Sequence, residues 1–175
     1  MRRRSSFVLI IGILLAIAVP NFIKARESSR TKACIANLKQ IQQGEFPPPP
    51  VADLIGFTLL SVEPGRAVVE LDADRRHANP MGTVHGGILC DIADAAMGIA
   101  YASGLDEGET FTTLELKINF LKPVRTGRLT AAGRVVKAGR TVGLVECDVT
   151  DERGSLVAHA TSTCMTLRGE QAVGR

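Results

Sequence analysis

A run of glycine and polar residues near the middle of the chain has the composition of a catalytic turn. Positions 79–87 read Asn-Pro-Met-Gly-Thr-Val-His-Gly-Gly, and a predicted helix that carries Asp91 and Asp94 follows at once. Glycines at the entry of a helix leave backbone N–H groups exposed at the positive end of the helix dipole, where they can stabilise a developing oxyanion. A carboxylate two to three turns further on could then attack or activate water. We therefore interpret this stretch as the candidate catalytic site.

The same side chains have structural interpretations that compete with the catalytic one. Asp94 could be an ordinary solvated carboxylate on a helix surface, and His85 could merely order the loop. Asp91 lies three residues before Asp94 and could raise its pKa or face water, and we favour water. The sequence contains no Gly-x-Ser-x-Gly segment, which argues against a serine hydrolase.

Neither a metal site nor a disulfide framework is indicated. His77 and His159 lack the spacing of metal ligands. The four cysteines are widely spaced and form no Cys-x-x-Cys pair. We therefore expect buried free thiols in a reducing compartment. The cysteines are Cys34, Cys90, Cys147 and Cys164.

The composition indicates one globular domain with appendages. A chain of 175 residues that is 45% hydrophobic and 22% charged can bury one core but is short for two ordinary domains. The net charge of +3 is mild, Trp is absent and one Tyr occurs, so no nucleic-acid partner is expected. The run Pro47–Pro50 predicts a stiff, nonhelical polyproline spacer. We place the boundary there, with an N-terminal segment at 1–46 and the folded domain at 47–175.

After the spacer, the sequence predicts an α+β domain in which an antiparallel sheet covers one helix. Apolar residues have helical spacing from Gly86 to about Ser103, and Gly104 is expected to cap the C-terminal end. Small helix residues such as Ala96 and Gly98 should let the sheet wrap closely around it. Short glycine-containing links predict hairpins between consecutive strands. The strands are predicted at 57–62, 67–71, 111–121, 129–137, 142–150 and 156–167.

The candidate site carries a motif that resembles one family. The pattern Asn-x-x-Gly-x-x-His-Gly-Gly, with Asp nine positions after the histidine, is similar to that of the phenylacetic-acid-degradation (PaaI-like) thioesterases of the hotdog superfamily. The matching residues are Asn79, Gly82, His85, Gly86, Gly87 and Asp94. Segments 117–123 and 136–140 extend the resemblance, which covers residues 53–167. It implies a hotdog fold and an acyl-CoA thioesterase that hydrolyses an acyl- or aryl-CoA thioester to the free acid and CoA.

The resemblance also implies catalytic roles. Gly86 is the oxyanion donor through its backbone N–H, and Asp94 is the general base or nucleophile, contributed across a dimer interface. His85 and Asn79 position the substrate or water. Thr113, which we choose over its neighbour on the strand, supplies an assisting hydroxyl.

Coenzyme A is implied to lie along the protein surface with its phosphates near basic loops. The implied CoA-binding residues are Gly87, Lys137, Gly139 and Arg140, and Arg125 is a further candidate. Because CoA is part of the substrate, no metal and no separate cofactor is expected. The expected partners are the acyl-CoA substrate and further copies of the chain, as a homodimer or a dimer of dimers, that is, a homotetramer.

The start of the chain differs from the rest. Phe7–Val19 is an unbroken apolar run behind three arginines, and its extension to Ile23 gives 17 residues, near the lower limit for a tilted membrane helix. We interpret 7–23 as a signal sequence or a short membrane anchor. Residues 7–43 resemble the N-terminal helix of type IV pilins and pseudopilins, through the run Gly12–Phe22 and the Lys-Ala-Arg that follows. The leader-peptidase site and the glutamate of that family have no counterpart here.

Two alternatives to an acyl-CoA thioesterase stay open from the sequence. One is a noncatalytic hotdog module that binds acyl-CoA. The other is a pilin-like structural subunit that acts through the N-terminal helix. For the thioesterase we expect a cytoplasmic catalytic domain, with any membrane attachment made through the N-terminal helix.

Overall fold

The computed structural model describes residues 39–173 apart from 41, 44 and 46. From residue 47 to residue 173, two α-helices and six strands follow one another, with short 3-10 turns at Arg75–His77 and Gly169–Ala172. The helices are α1 (Pro50–Ile55) and α2 (Gly86–Ala102). The strands are β1 (Phe57–Glu63), β2 (Arg66–Ala73), β3 (Thr110–Phe120), β4 (Gly127–Ala138), β5 (Val142–Asp151) and β6 (Leu156–Leu167).

The six strands form one antiparallel sheet in the order β1-β2-β4-β5-β6-β3. The hairpins β1-β2, β4-β5 and β5-β6 are confirmed, whereas β3 pairs with β6 and not with its chain neighbour β4. Strands β1 and β3 are therefore the two edges of the sheet. Helix α2 packs on one face and contacts every strand, so the sheet curves around it. The predicted α+β hotdog architecture is confirmed.

The small residues of α2 let the sheet approach closely, as the sequence predicts. A Cβ atom on Gly133 of β4 would lie only 2.5 Å from the backbone carbon and oxygen of Ala96. The helix face that meets the sheet is apolar and buried. Its buried residues are Leu89, Ile92, Ala93, Ala96, Met97, Ala100 and Tyr101.

A β-bulge in β3 decides which of its side chains face the helix. The pairing register between β3 and β6 shifts between Thr113 and Glu115, and a bulge of this kind reverses the alternation of faces along a strand. Phe111 precedes the bulge and Leu116 follows it, yet both pack against the core. Thr113 and Phe120 consequently lie on the same, helix-facing side of β3.

Two local predictions are wrong. Pro50 is not part of a nonhelical spacer but the first residue of α1, a position where a missing N–H costs nothing and the fixed φ of proline suits the helix. Pro49 before it keeps the extended conformation, with φ −61° and ψ 145°. The capping residue of α2 is Ser103, not Gly104, which has no left-handed φ. The buried Ser103 hydroxyl donates to the Ala100 carbonyl and so satisfies the helix end.

The proposed membrane segment, residues 7–23, lies outside the described residues, as does Cys34, and only the last few positions of the pilin-like stretch 7–43 fall within them. None of the helices that are described is long and apolar enough to cross a membrane. The other cysteines are free thiols, of which Cys147 and Cys164 are buried as expected.

The contact between β4 and α2 should tolerate no side chain. We expect Gly133→Ala to reduce the free energy of unfolding by about 1–3 kcal/mol, because the added methyl group meets helix backbone that cannot yield like a flexible side chain. Urea denaturation measures the change. Ala132→Val is the matched control, since the exposed Ala132 points away from the helix, and its effect should stay within about 0.5 kcal/mol. Equal losses in the two variants would contradict the close packing.

Candidate active site

The turn at the start of α2 leaves one backbone N–H available for a ligand. His85 is the N-cap residue, and its Nδ1 accepts a hydrogen bond from Gly87 N at 2.9 Å. The N–H of Ile88 donates to the His85 carbonyl at 3.0 Å. Among the described residues, none accepts a hydrogen bond from the Gly86 N–H. Since that group sits at the positive end of the helix dipole, it can stabilise an oxyanion.

The hydrogen bond at Nδ1 also fixes the tautomer of His85. Because Nδ1 accepts from Gly87, the proton of the neutral ring must be on Nε2. The His85 side chain is exposed, so Nε2–H can donate to a substrate or to water beside the turn. The structure is thus compatible with both interpretations of His85, as a residue that orders the turn and as one that contacts the substrate.

Asn79 organises the loop that leads to this turn. Its Oδ1 accepts from Met81 N at 2.9 Å and from Thr83 N at 3.2 Å, and its Nδ2 donates to Thr83 Oγ1 at 2.9 Å. The end of the loop is pinned by Val84 N, which donates to the Val124 carbonyl at 2.7 Å. Asn79 therefore acts on the turn through the loop backbone, with most of its hydrogen-bonding capacity used inside the loop.

Asp94 lies beside the predicted strand hydroxyl. Thr113 Oγ1 donates to Asp94 Oδ1 over a long 3.4 Å. Burial raises the pKa of Asp94, the hydrogen bond from Thr113 opposes this change, and the charge of Asp91 adds to it. More than a third of Asp94 remains exposed in one chain, so the carboxylate can be reached by a substrate. A raised pKa makes it a better proton acceptor.

Asp91 both faces water and lines the cleft of Asp94. It is exposed, as expected of a residue facing water, but it also lines the same cleft as Asp94. Burial raises its own pKa as well. Both interpretations left open for Asp91 are therefore partly correct, with its effect on the pKa of Asp94 the smallest of the three causes.

The cleft beside Asp94 runs along α2 between the two edge strands of the sheet. It has a volume of about 370 Å³, and its walls include Phe57 of β1 and Phe111 of β3. The α2 residues that line it recur at helical spacing and form one stripe. They are Asp91, Asp94, Ala95, Gly98, Ile99 and Ala102. Apart from the two carboxylates the stripe is apolar, so the cleft suits the hydrocarbon part of a ligand.

Phe120 is a site residue that the sequence does not single out. A Cβ atom on Gly86 would lie 2.8 Å from Phe120 Cζ, so the ring lies directly against the candidate oxyanion donor. The ring nevertheless belongs to an exposed residue at the end of an edge strand. The only signal in the sequence is the position of Phe120 within segment 117–123.

Gly86 and Asp94 of one chain cannot act on the same carbonyl group. They are eight residues apart on α2, which corresponds to about 12 Å along the helix axis. A reacting atom must lie roughly 3 Å from both the nucleophile or base and the oxyanion donor. A site that used both groups would therefore need the Gly86 turn of another copy of the chain.

The predicted CoA-binding residues are not gathered at this cleft. Gly139 lines a separate cleft with Tyr101 at the C-terminal end of α2, and Lys137 and Arg140 are exposed on the same hairpin. That end is about 22 Å from Gly86 along the helix axis. Arg125 lies closer, since its Nη1 would be 3.2 Å from a Cβ atom on Gly82 in the loop before α2.

Gly87, the remaining CoA-binding candidate, is at the turn itself, but its N–H already donates to His85. Metal-ligating side chains do not cluster in the described part of the chain, where no group of three or more His, Cys, Asp or Glu could hold an ion.

Comparison with known proteins places the turn, α2 and strands β3 to β5 in one family. Residues 81–158 match the sequence model of the Thioesterase superfamily. A protein of Saccharolobus solfataricus described as an esterase is 37% identical over 110 residues, which are 63% of this chain and 78% of that protein. The 1,4-dihydroxy-2-naphthoyl-CoA hydrolase of Listeria monocytogenes is 31% identical over 111 residues, 63% of this chain and 90% of the hydrolase.

A solved structure agrees with these sequence matches. The phenylacetic acid degradation-related protein of Ralstonia eutropha, described as a thioesterase, superposes with a TM-score of 0.67 and is 32% identical. The match covers 73% of this chain and 97% of that one.

We expect the ionised form of Asp94 to reduce the stability of the folded protein. Since the folded state raises its pKa, ionisation destabilises the fold as pH rises from below the ordinary aspartate range to neutrality. We expect Asp94→Asn to melt at a higher temperature than the wild type at neutral pH, with the difference vanishing in acid. Thermal unfolding across this pH range measures it.

Asp151→Asn is the control of opposite sign. Lys122 and backbone N–H groups lower the pKa of Asp151 to about 2, so its ionised form stabilises the fold at neutral pH. This variant should melt at a lower temperature at neutral pH. A lower melting temperature for Asp94→Asn as well would contradict the raised pKa of Asp94.

Proposed function

The chain belongs to the thioesterase superfamily and is a thioester hydrolase, and on that premise we propose that it is an acyl-CoA thioesterase that releases a free acid and CoA. Asp94 is the general base or nucleophile, and the Gly86 N–H is the oxyanion donor. The observation that carries the proposal is the position of Asp94. Its carboxylate lies in an apolar cleft, accepts a hydrogen bond from the Thr113 hydroxyl and has a pKa that burial raises.

The active site is shared between two copies of the chain. Strand β3 is a sheet edge, and an edge strand can pair with the same strand of a second copy. Antiparallel pairing about a two-fold axis at Lys117, with Leu114 as the extra residue of the bulge, places Thr113 opposite Phe120 of the second copy. Since Thr113 contacts Asp94 and Phe120 contacts Gly86 within each chain, this pairing brings Asp94 of one copy towards the Gly86 turn of the other.

The chemistry of such a site is the addition of water to a thioester carbonyl. Asp94 takes a proton from water as the water oxygen bonds to the carbonyl carbon, and the Gly86 N–H stabilises the oxyanion. When the intermediate collapses, the carbon–sulfur bond breaks and Asp94 returns the proton to the CoA sulfur. The raised pKa of Asp94 supports this role as a general base. Direct attack by the carboxylate is the alternative: it expels the CoA thiolate and forms a mixed anhydride with Asp94. Attack of water on the Asp94 carbonyl of this anhydride would leave one Asp94 oxygen in the product acid in a single turnover in ¹⁸O-water.

The proposed substrate fits the rest of the molecule. The acyl or aryl group occupies the apolar cleft between Phe57 and Phe111, and CoA extends over the surface towards basic side chains such as Arg125. Lys137, Gly139 and Arg140 remain proposed CoA-binding residues. In a dimer or dimer of dimers, a second copy of the chain would supply them to the site. No metal or further cofactor takes part, and a CoA thioester as substrate favours a cytoplasmic location for this domain.

Replacement of Asp94 should abolish turnover without unfolding the protein. We expect Asp94→Asn to reduce kcat by about 10²–10⁴, the range for loss of a general base. Release of the CoA thiol from acetyl-, octanoyl-, dodecanoyl- and phenylacetyl-CoA measures the rate. Asp91→Asn is the matched control, being on the same helix stripe but without the Thr113 contact, and it should retain most of the activity. Unchanged turnover in Asp94→Asn would remove Asp94 from the mechanism.

The shared site can be tested by mixing two inactive variants. Gly86→Pro removes the candidate oxyanion donor at a helix position that accepts proline, and His85 already has the extended backbone, with φ −63° and ψ 135°, that a following proline requires. Gly86→Ala is its control, because it introduces the same contact with Phe120 but keeps the N–H. We expect Gly86→Pro to lose about 10²–10³ in kcat beyond any loss in Gly86→Ala.

Gly86→Pro and Asp94→Asn chains are then unfolded together, refolded and assayed. In a two-fold dimer, half of the assemblies are mixed, and each mixed dimer contains one intact site. We therefore expect about a quarter of the wild-type activity to return. No recovery from correctly refolded mixed dimers would mean that both groups act within one chain.

A further inference from the structure

Residues 77–85 form a short hairpin, the entry hairpin, that leads into the turn before α2. An antiparallel bridge closes its middle, and at its open end the His85 N–H donates to the His77 carbonyl at 2.8 Å. The next peptide unit carries the Gly86 N–H, and its plane is set by the His85 torsions, φ −63° and ψ 135°. The anchoring of His85 on His77 therefore helps to determine where the Gly86 N–H points.

The imidazole ring of His77 is the buried anchor of the entry hairpin, with 6% of the residue exposed. Its Nδ1 accepts a hydrogen bond from Asp74 N at 2.9 Å, which leaves Nε2–H to donate to the Ile55 carbonyl at 2.8 Å. Ile55 is the last residue of α1, and Asp74 is the N-cap residue of the 3-10 turn after β2. The ring thus fastens the open end of the entry hairpin to two separate segments of the fold.

Two other contacts hold the turn on the side of β3. Val84 N donates to the Val124 carbonyl at 2.7 Å, and the ring of Phe120 lies against Gly86. Both contacts come from β3 or from the segment that follows it. Among the described residues, the His77 carbonyl alone accepts a hydrogen bond from the N–H of His85. Without His77 the turn would therefore be held along the β3 side only.

We infer that His77 is the positioning residue of the oxyanion donor, because its ring holds the entry hairpin where the Gly86 N–H can meet the reacting carbonyl. The inference rests on the proposed function, which assigns the oxyanion to that N–H. His77 lies outside the motif of the turn and does not line the Asp94 cleft. Its role is therefore in the rate of the chemical step and not in substrate affinity, since a displacement of about 1 Å can cost on the order of 10²-fold in rate.

Two amides at position 77 each keep one hydrogen bond of the ring. Asn can replace Nδ1 as the acceptor from Asp74 N but is too short to reach Ile55, whereas Gln can supply the donor to the Ile55 carbonyl. We expect His77→Asn to lower kcat by roughly 10- to 100-fold, part of what one oxyanion donor contributes, and His77→Gln to restore most of the rate.

Thiol release from the acyl-CoA ester that the wild type hydrolyses fastest gives both kinetic constants. KM should change by less than about twofold in either variant, because the interaction is made in the transition state. The control is His159→Gln, which removes a histidine that pairs with Asp148 on the other face of the sheet and should keep the wild-type kcat. A loss in His77→Asn that appears only in KM would overturn the inference.

A double-mutant cycle separates positioning of the donor from general support of the fold. The Gly86→Pro chain has no N–H to position, so adding His77→Asn should lower its kcat by less than about twofold. In the Gly86→Ala chain, which keeps the N–H, His77→Asn should have its full effect. Equal fold losses in the two backgrounds would show that His77 supports only the fold and would overturn the inference.

Amide hydrogen exchange, followed by NMR on the full chain, tests the anchor without substrate. We expect His77→Asn to speed exchange of the His85 N–H several-fold relative to amides of β4, as loss of one buried hydrogen bond allows, and His77→Gln to restore the slow exchange. Unchanged exchange at His85 in His77→Asn would overturn the inference alone. Faster exchange at His85 in a protein whose wild type releases no thiol from any of the esters would overturn the proposed function while supporting His77 as the anchor of the turn.

Discussion

The rigidity of α2 is the constraint on which the site depends. One straight helix carries both the Gly86 N–H at its start and Asp94 two turns later, and side chains from every strand hold it in place. Packing as close as that between Gly133 and Ala96 leaves the helix no freedom to bend and bring the two groups together. In the proposed mechanism the two groups therefore meet at a contact between two copies of the chain, and the edge strand β3 forms that contact.

The bulge in β3 allows a single edge strand to contact both Asp94 and Gly86. Seven residues separate Thr113 from Phe120, so in a regular strand their side chains would point to opposite faces. The shift beside Leu114 turns both towards α2, so one edge strand can contact Asp94 near its start and Gly86 at its end. In the proposed dimer, the strand that pairs with the second copy therefore also aligns the two halves of the site.

Much of the fold and the centre of the site could be predicted from sequence because each depends on local patterns. Short segments of sequence are enough to predict the alternating strands, the glycine-containing hairpins and the helix rich in small residues. The same is true of the turn around Gly86 and the carboxylate at Asp94. The pairing of β3 with β6, the bulge and the ring of Phe120 against Gly86 depend on contacts between distant segments, which no local pattern encodes. The prediction missed helix α1 for a different reason. A proline run predicts an extended chain, although its last proline can be the first residue of a helix.

The open seam between β1 and β3 has a consequence for how such a protein can change over evolutionary time. No ladder of backbone hydrogen bonds joins these two strands in the described part of the chain, so the side chains along the seam are free of the register that fixes the other strands. Exposed side chains along the seam can therefore change without disturbing a strand register, while the hairpins and the buried helix preserve the turn at Gly86. If the cleft along this seam holds the acyl group, substrate preference can change through these exposed positions without rebuilding the sheet.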